Sequence, residues 1–217
     1  GHWAEGYIKY LQNTGIVAGK SATKFDPDAQ VTTAEAMKMA LALAGYDEKN
    51  AGLTGIDWQK NTLTYATTIG LTDNVNSAMS AGCSRQDAAQ ILANCLEANA
   101  VRWSSVVSNF VNDSKTGLSS GGDPITVGYK WMDLTIYVGR MVSSGKLNLE
   151  GVSDAGVDRF SVDVDTVNGI EVDRWTWDND SRNYYNSGVL TVKDGQDHTD
   201  LVGLDVKVLT GEKIDDV

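Results

Sequence analysis

The sequence is poor in the residues that most often build redox and metal chemistry. Its 217 residues hold only two cysteines, Cys83 and Cys95, and two histidines, His2 and His198. Along one helix, the stretch between the cysteines would span about 18 Å at a rise of roughly 1.5 Å per residue. A disulfide needs Cα atoms roughly 4.4–6.8 Å apart. Both cysteines therefore read as free thiols, which leaves export open. Two histidines are too few to favour a histidine metal site or catalytic dyad. Long apolar runs are also missing. The longest, residues 39–45, falls far short of the roughly 20 residues that span a bilayer, and no signal peptide is visible. Positive charge is in deficit, with 18 Lys and Arg against 29 Asp and Glu and a net charge of -11. Such a chain repels phosphate backbones and anionic lipid, which argues against nucleic acid and membrane surfaces as partners. No Gly-x-Ser-x-Gly, phosphate-loop, His-Glu-x-x-His or Cys-x-x-Cys motif occurs, so the chain reads as non-enzymatic. A carboxylate pair for glycoside cleavage is defined by a spacing of roughly 5–10 Å in the fold, and no pair among so many acids can be picked from sequence.

What is present is a globular composition, 41% apolar, with room for one large domain or two small ones. The first half is rich in Ala and Leu with helical periodicity. The second is rich in Val, Thr, Gly and Asp. The change falls near Asn99, which predicts two domains, 1–98 and 99–217.

The first half repeats internally. Ala36, Met39, Ala40, Leu43 and Ala44 make an amphipathic stripe, and adding 52 gives Ala88, Ile91, Leu92, Cys95 and Leu96. Both stripes are expected in the core. Thr32 with Glu35 forms a capping box ahead of the first stripe, and Ser84 with Asp87 ahead of the second. An earlier helix repeats at an offset of 55, pairing Trp3 with Trp58, Ile8 with Leu63 and Tyr10 with Tyr65. Gly15 and Gly70 close these helices, as glycine past a helix end does. Each unit is helix, long loop, helix, over about residues 1–46 and 55–98.

The segments Gly1-His2-Trp3-Ala4, Gly15-Ile16-Val17-Ala18-Gly19, Phe25-Asp26-Pro27-Asp28 and Val31-Thr32-Thr33-Ala34-Glu35 resemble an S-layer homology repeat. Residues 58–72 with Cys83-Ser84-Arg85-Gln86-Asp87 resemble a second, more diverged copy. The resemblance covers roughly residues 1–98. It implies a pseudo-threefold helical bundle of three repeats, anchored to the Gram-positive cell wall. It further implies that grooves between repeats bind anionic secondary cell-wall polymers, often carrying ketal-linked pyruvate, and that the motif arginine faces the sugar. Arg85 holds that position in the second copy, whereas Thr33 stands there in the first, and no third repeat is evident. Independently of the family, a guanidinium in the first turn of a helix is suited to a carboxylate. The alternative for Arg85 is a solvated ion pair with Asp87. Trp3 and Trp58 either stack on a sugar ring or belong to the core, the commoner place for them. Lys20 and Lys24 either add positive charge to the site or are ordinary surface lysines. The candidate glycan-binding residues are Arg85, Ser84, Trp3, Trp58, Thr32, Glu35 and Asp87.

The second half reads as short strands over 101–107, 159–164, 170–177, 188–192 and 204–209. Asn168-Gly169, Asp194-Gly195 and Gly121-Gly122-Asp123-Pro124 supply turns between them. Residues 132–142 are helix or strand, and Thr135, Ile136, Tyr137 and Val138 tilt them to strand. A small antiparallel barrel or sandwich is expected, so the fold class is α+β. Residues 162–172, 201–203 and 206–209 resemble the β module that follows such repeats in some large surface proteins of anaerobic gut bacteria; no activity attaches to that resemblance. Asp163, Asp165, Asn168 and Gly169 share some features of a calcium loop, but Val167 stands where a ligand is needed. Asp178, Asp180, Asp194, Asp197 and Asp200 are expected in turns, where solvation is the ordinary role and calcium-assisted packing between copies the alternative. No cofactor is expected, with calcium as the alternative. The chain reads as a secreted bacterial cell-surface protein, or a fragment of one, because it starts abruptly at the repeat and ends directly after its last strand candidate. Its expected function is carbohydrate binding to the cell wall. The alternative is a structural subunit of a lattice or filament, contacting copies of itself or other surface proteins.

Overall fold

Four helices form where the apolar spacing places them: α1 (Glu5–Asn13), α2 (Thr33–Ala44), α3 (Trp58–Thr68) and α4 (Arg85–Glu97). The computed structural model describes residues 1–20, 24–114, 123–146, 158–171, 189–192 and 194–211. Capping chemistry sets the starts of α2 and α4. Thr32 Oγ1 accepts the Glu35 amide while the Glu35 carboxylate accepts the Thr32 amide, closing the expected capping box. Ser84 Oγ accepts the Asp87 amide in the same way. The two starts are joined: Thr32 bridges Gly82 in antiparallel fashion, Cys83 N donates to Val31 O (2.8 Å) and Thr33 N to Ala81 O (2.9 Å). Past the ends of α1 and α3, Gly15 and Gly70 adopt φ of 73° and 76°.

The helix α2 is the hub and packs against both α3 and α4. Its buried face is Thr33, Ala34, Met37, Ala40, Leu41 and Ala44. That face is rotated from the expected stripe, and Met39 turns partly outward. On α4 the expected stripe is corrected further. Ile91 and Cys95 are buried with Asp87, but Leu92 is 54% exposed. The reason is that α4 meets α2 along a narrow i, i+4, i+8 line, and a residue one position off that line looks out. Trp3 is likewise corrected from core, being 83% exposed, and no residue of α1 is buried.

The chain divides into two compact units, Gly1–Lys130 and Trp131–Val217. The first runs past the compositional change at Asn99. It includes the hairpin β1 (Val101–Ser104) and β2 (Asn109–Asn112) and most of the short helix α5 (Val127–Met132). Ala100, Val101, Ile125 and Val127 are buried in the same core as α2 and α4. Backbone bonds knit them in, with Ala100 N donating to Ile125 O (2.8 Å) and Val127 N to Ala98 O (2.9 Å). Composition changes at Asn99 because the chain switches from helix to extended backbone there, while the core it fills continues.

The second unit is antiparallel. A long strand β3 (Thr135–Lys146) lies between β4 (Asp158–Val167) and β7 (Asp205–Thr210). The far edge of β4 pairs with both β5 (Ile170–Glu171) and β6 (Val189–Val192). The ambiguous segment is thus strand from Thr135 onward. Asn168 and Gly169, at φ of 50° and 79°, make the two-residue turn between β4 and β5, the backbone a tight hairpin requires. The core of this unit is Tyr137, Met141, Phe160, Val162, Val164 and Leu190. Among the described residues the sheet is open rather than a closed barrel. Fold class is therefore mixed α+β.

Candidate functional site

The joined starts of α2 and α4 place five of the seven candidate residues in one neighbourhood, but not in one cavity. A groove of about 640 Å³ lies on the α2 side. Glu35 and Trp58 line it, with Ile8, Phe25, Lys20 and Lys38. Thr32 adjoins it through Glu35. The lysines that line this groove are already matched to carboxylates. Lys20 Nζ lies 2.5 Å from Glu35 Oε1, and Lys38 Nζ lies 2.6 Å from Glu48 Oε1. Burial alone would raise the Glu35 pKa, but Lys20 and the Thr32 amide and hydroxyl outweigh it and hold the carboxyl below its ordinary range. Lys24, by contrast, stands 4.0 Å from Asp26 outside this lining.

At the start of α4 the chemistry is different. Asp87 is 4% exposed and faces inward. Its carboxylate accepts the Ser77 hydroxyl, the Asn76 amide (3.1 Å) and the Ser84 hydroxyl (2.9 Å). These bonds, led by Ser77, hold it well below the usual carboxylate range. A carboxylate so occupied does not pair with Arg85. Arg85 is the first residue of α4, is exposed, and has no ion-pair partner among the described residues. The solvated Arg85–Asp87 pair does not form, and a guanidinium is left at the positive end of a helix. Ser84 is exposed beside it and occupied as the cap. Trp3 lines no part of the groove and stacks loosely on His2, centroids 5.6 Å apart.

Other candidates resolve plainly. Cys83 and Cys95 are free. Burial pushes the Cys95 thiol up to about 12, which makes it a packing residue rather than a nucleophile. Asp163 and Asp165 stand on β4 rather than in a loop, and no cluster of three or more His, Cys, Asp or Glu suited to a metal occurs among the described residues. Asp178, Asp180, Gly121 and Gly122 lie outside those residues, as does most of the strand expected over 170–177. Among the described residues, no helix is long and apolar enough to cross a membrane. Sequence reasoning missed Lys38 and Glu48. The available signal for Lys38 was its place three residues after Glu35, on the same face of α2.

Residues 1–37 match the model of the S-layer homology domain, a stretch that covers α1, the following loop and the start of α2. A cell surface protein of Thermoanaerobacter kivui is 30% identical over 102 residues, covering 47% of this chain. The matched stretch is 12% of that relative's length. No solved structure matches the chain.

Proposed function

We propose, from the premise that residues 1–37 form an S-layer homology domain, that this chain is part of a non-catalytic bacterial cell-surface protein. It is held non-covalently to the wall by an anionic secondary polymer. The observation that carries the reading is Arg85. Lys20 and Lys38 are committed to carboxylates, whereas Arg85 is exposed on a helix N-terminus with its nearest acid turned inward. A planar guanidinium grips a carboxylate through two parallel hydrogen bonds. The free amides of the first turn of α4 add favourable potential for the same anion. A pyruvyl ketal on a wall sugar presents such a carboxylate, while the half-buried Trp58, in the separate groove on the α2 side, offers its ring face to another sugar of the polymer.

The test is a pull-down with Gram-positive sacculi before and after acid extraction of the secondary polymer. Binding is expected to disappear with extraction. Arg85→Ala should reduce it about tenfold or more, the scale of a charged hydrogen-bonded contact, with the melting temperature nearly unchanged. Retained binding by Arg85→Ala would remove Arg85 from the site.

A second reading, a subunit of an extracellular lattice, is favoured by one observation. Trp3, just before α1, and Tyr7 and Tyr10, on it, are 83%, 70% and 67% exposed. Uncovered aromatic surface of this kind marks contact sites. Sedimentation should then show association that Trp3→Ser and Tyr7→Ser abolish. A monomer at every concentration and calcium level would end this reading.

A further inference from the structure

A second cavity, of about 590 Å³, lies by the C-terminal end of α2, away from the capping segments. Its walls are the loop after α2, one face of α3 and the start of β2. We propose that it is a binding site for a neutral saccharide, formed by the aromatic surface of Tyr46, Tyr65 and Phe110 and by the side-chain amides of Asn50, Asn61 and Asn109.

The aromatic part is built in. The Tyr46 ring lies 4.8 Å from Tyr65 and 4.6 Å from Phe110, centroid to centroid, and Trp103 backs Phe110 edge-on at 5.1 Å. Tyr46 is only 5% exposed, yet its hydroxyl has no hydrogen bond among the described residues. The hydroxyl is not sealed off, so it reaches solvent from a residue that lines the cavity and is open to a ligand there. Burial, with Tyr65 next, raises its pKa, which keeps that proton in place. The Tyr65 hydroxyl is also without a hydrogen bond among the described residues.

The amides are held in fixed orientations by their own partners. Asn61 Nδ2 donates to Gly52 O at 2.9 Å, and Asn50 Nδ2 donates to both Asp47 oxygens at 3.1 and 2.9 Å. A carbonyl and a carboxylate can only accept, so both amide oxygens remain as free acceptors. Asn109 is the converse: its Oδ1 accepts the Phe110 amide at 2.8 Å, leaving its NH₂ as a free donor. Gly52 is required for the first of these contacts. It sits at φ +60°, and a Cβ there would lie 2.7 Å from Asn61 Nδ2.

Charge selects the ligand class. Among the described residues no carboxylate lines the cavity, and the one cation there is Lys49, which is exposed. A site of fixed acceptors, spare hydroxyl and amide donors and ring faces fits a ligand that is uncharged, rich in hydroxyls and apolar on one face. A volume in the range of small-molecule pockets, roughly 300–1,000 Å³, accommodates a short saccharide.

The test is saturation-transfer NMR on the whole chain. The probes are cellotriose, chitotriose and maltotriose at millimolar concentration, with glucuronate and acetate as anionic probes. At least one neutral probe should receive saturation, and its affinity should fall about fivefold in Tyr46→Phe and in Asn109→Ala, the scale of one neutral hydrogen bond. Thr67→Ala, on α3 but outside the cavity lining, should bind as wild type. If Tyr46→Phe lowers the melting temperature, Asn109→Ala, an exposed position, decides alone. No transfer to any neutral probe, transfer to the anions only, or transfer undiminished by Asn109→Ala would overturn the proposal.

Discussion

Asp87 reverses the role its sequence position suggests. It sits beside the candidate arginine, yet its carboxylate points into the unit and accepts three hydrogen bonds. Its pKa is lowered on folding, so it contributes stability at pH above its ordinary value near 4. That contribution is lost as pH falls through the lower folded value. Wild type should therefore lose melting temperature between pH 4 and pH 2 more steeply than Asp87→Asn, which carries no titrating group there; parallel pH profiles would contradict this. Thr62 presents the opposite case. It is fully buried on α3, and its Oγ1 has no hydrogen-bond partner among the described residues. A buried unpaired hydroxyl costs about 1–3 kcal/mol. Thr62→Val keeps the shape and removes that cost, so denaturant unfolding should show stability raised by about 1 kcal/mol. A loss would mean that the hydroxyl has an unseen partner. Neither role was legible in the sequence. A capping position reveals what the backbone amide receives, but not which way the carboxylate turns.

Two glycines allow close backbone approaches, one between α2 and β1 and one between β3 and β4. Gly45 ends α2 in the left-handed conformation at φ 107°, and a Cβ there would lie 1.9 Å from Val101 O. Gly139 stands at a register shift between β3 and β4, and a Cβ there would lie 2.0 Å from Asp163 O. Both obstacles are backbone atoms, which cannot swing aside as a side-chain end does. Gly45→Ala adds the penalty of a left-handed residue, and should destabilise by about 3 kcal/mol. Gly139→Ala has no such backbone penalty and should cost about 2 kcal/mol through displacement of β4 alone. Urea unfolding of each variant checks the order, and wild-type stability in Gly45→Ala would show that the hairpin can slide away. The starts of α2 and α4 were readable in advance because a cap is a local device, spanning three residues. The buried faces were less so. The expected stripe on α2 was off by part of a turn, and Leu92 came out exposed, because the partner's position selects the face.

For the whole molecule, the informative disagreement is between composition and packing. Composition changes at Asn99, whereas the first compact unit extends to Lys130. Val101, Ile125 and Val127 each bury a side chain worth roughly 1.5–3 kcal/mol in the helical core. Their sum rivals the 5–15 kcal/mol that holds an ordinary domain together. A fragment of residues 1–130 should therefore melt cooperatively, while one of residues 1–98 should not; matching cooperative melts from both would show that the helices suffice. The sequence by itself determined the helices α1 to α4 and the caps of α2 and α4, though not α5, and also the free thiols, the Asn168-Gly169 turn and the acidic balance, since each depends on near neighbours or on a sum over residues. It also carried the likeness to a wall-anchoring repeat. Only the tertiary structure decided that Asp87 is buried while Arg85 stands free, and that Trp3 is exposed. Tertiary structure alone also brought Tyr46, Tyr65 and Phe110 around one cavity. The physical reason is that burial and proximity depend on which distant segments fill the space beside a residue, and residues 46, 65 and 110 share no local pattern that would announce their meeting.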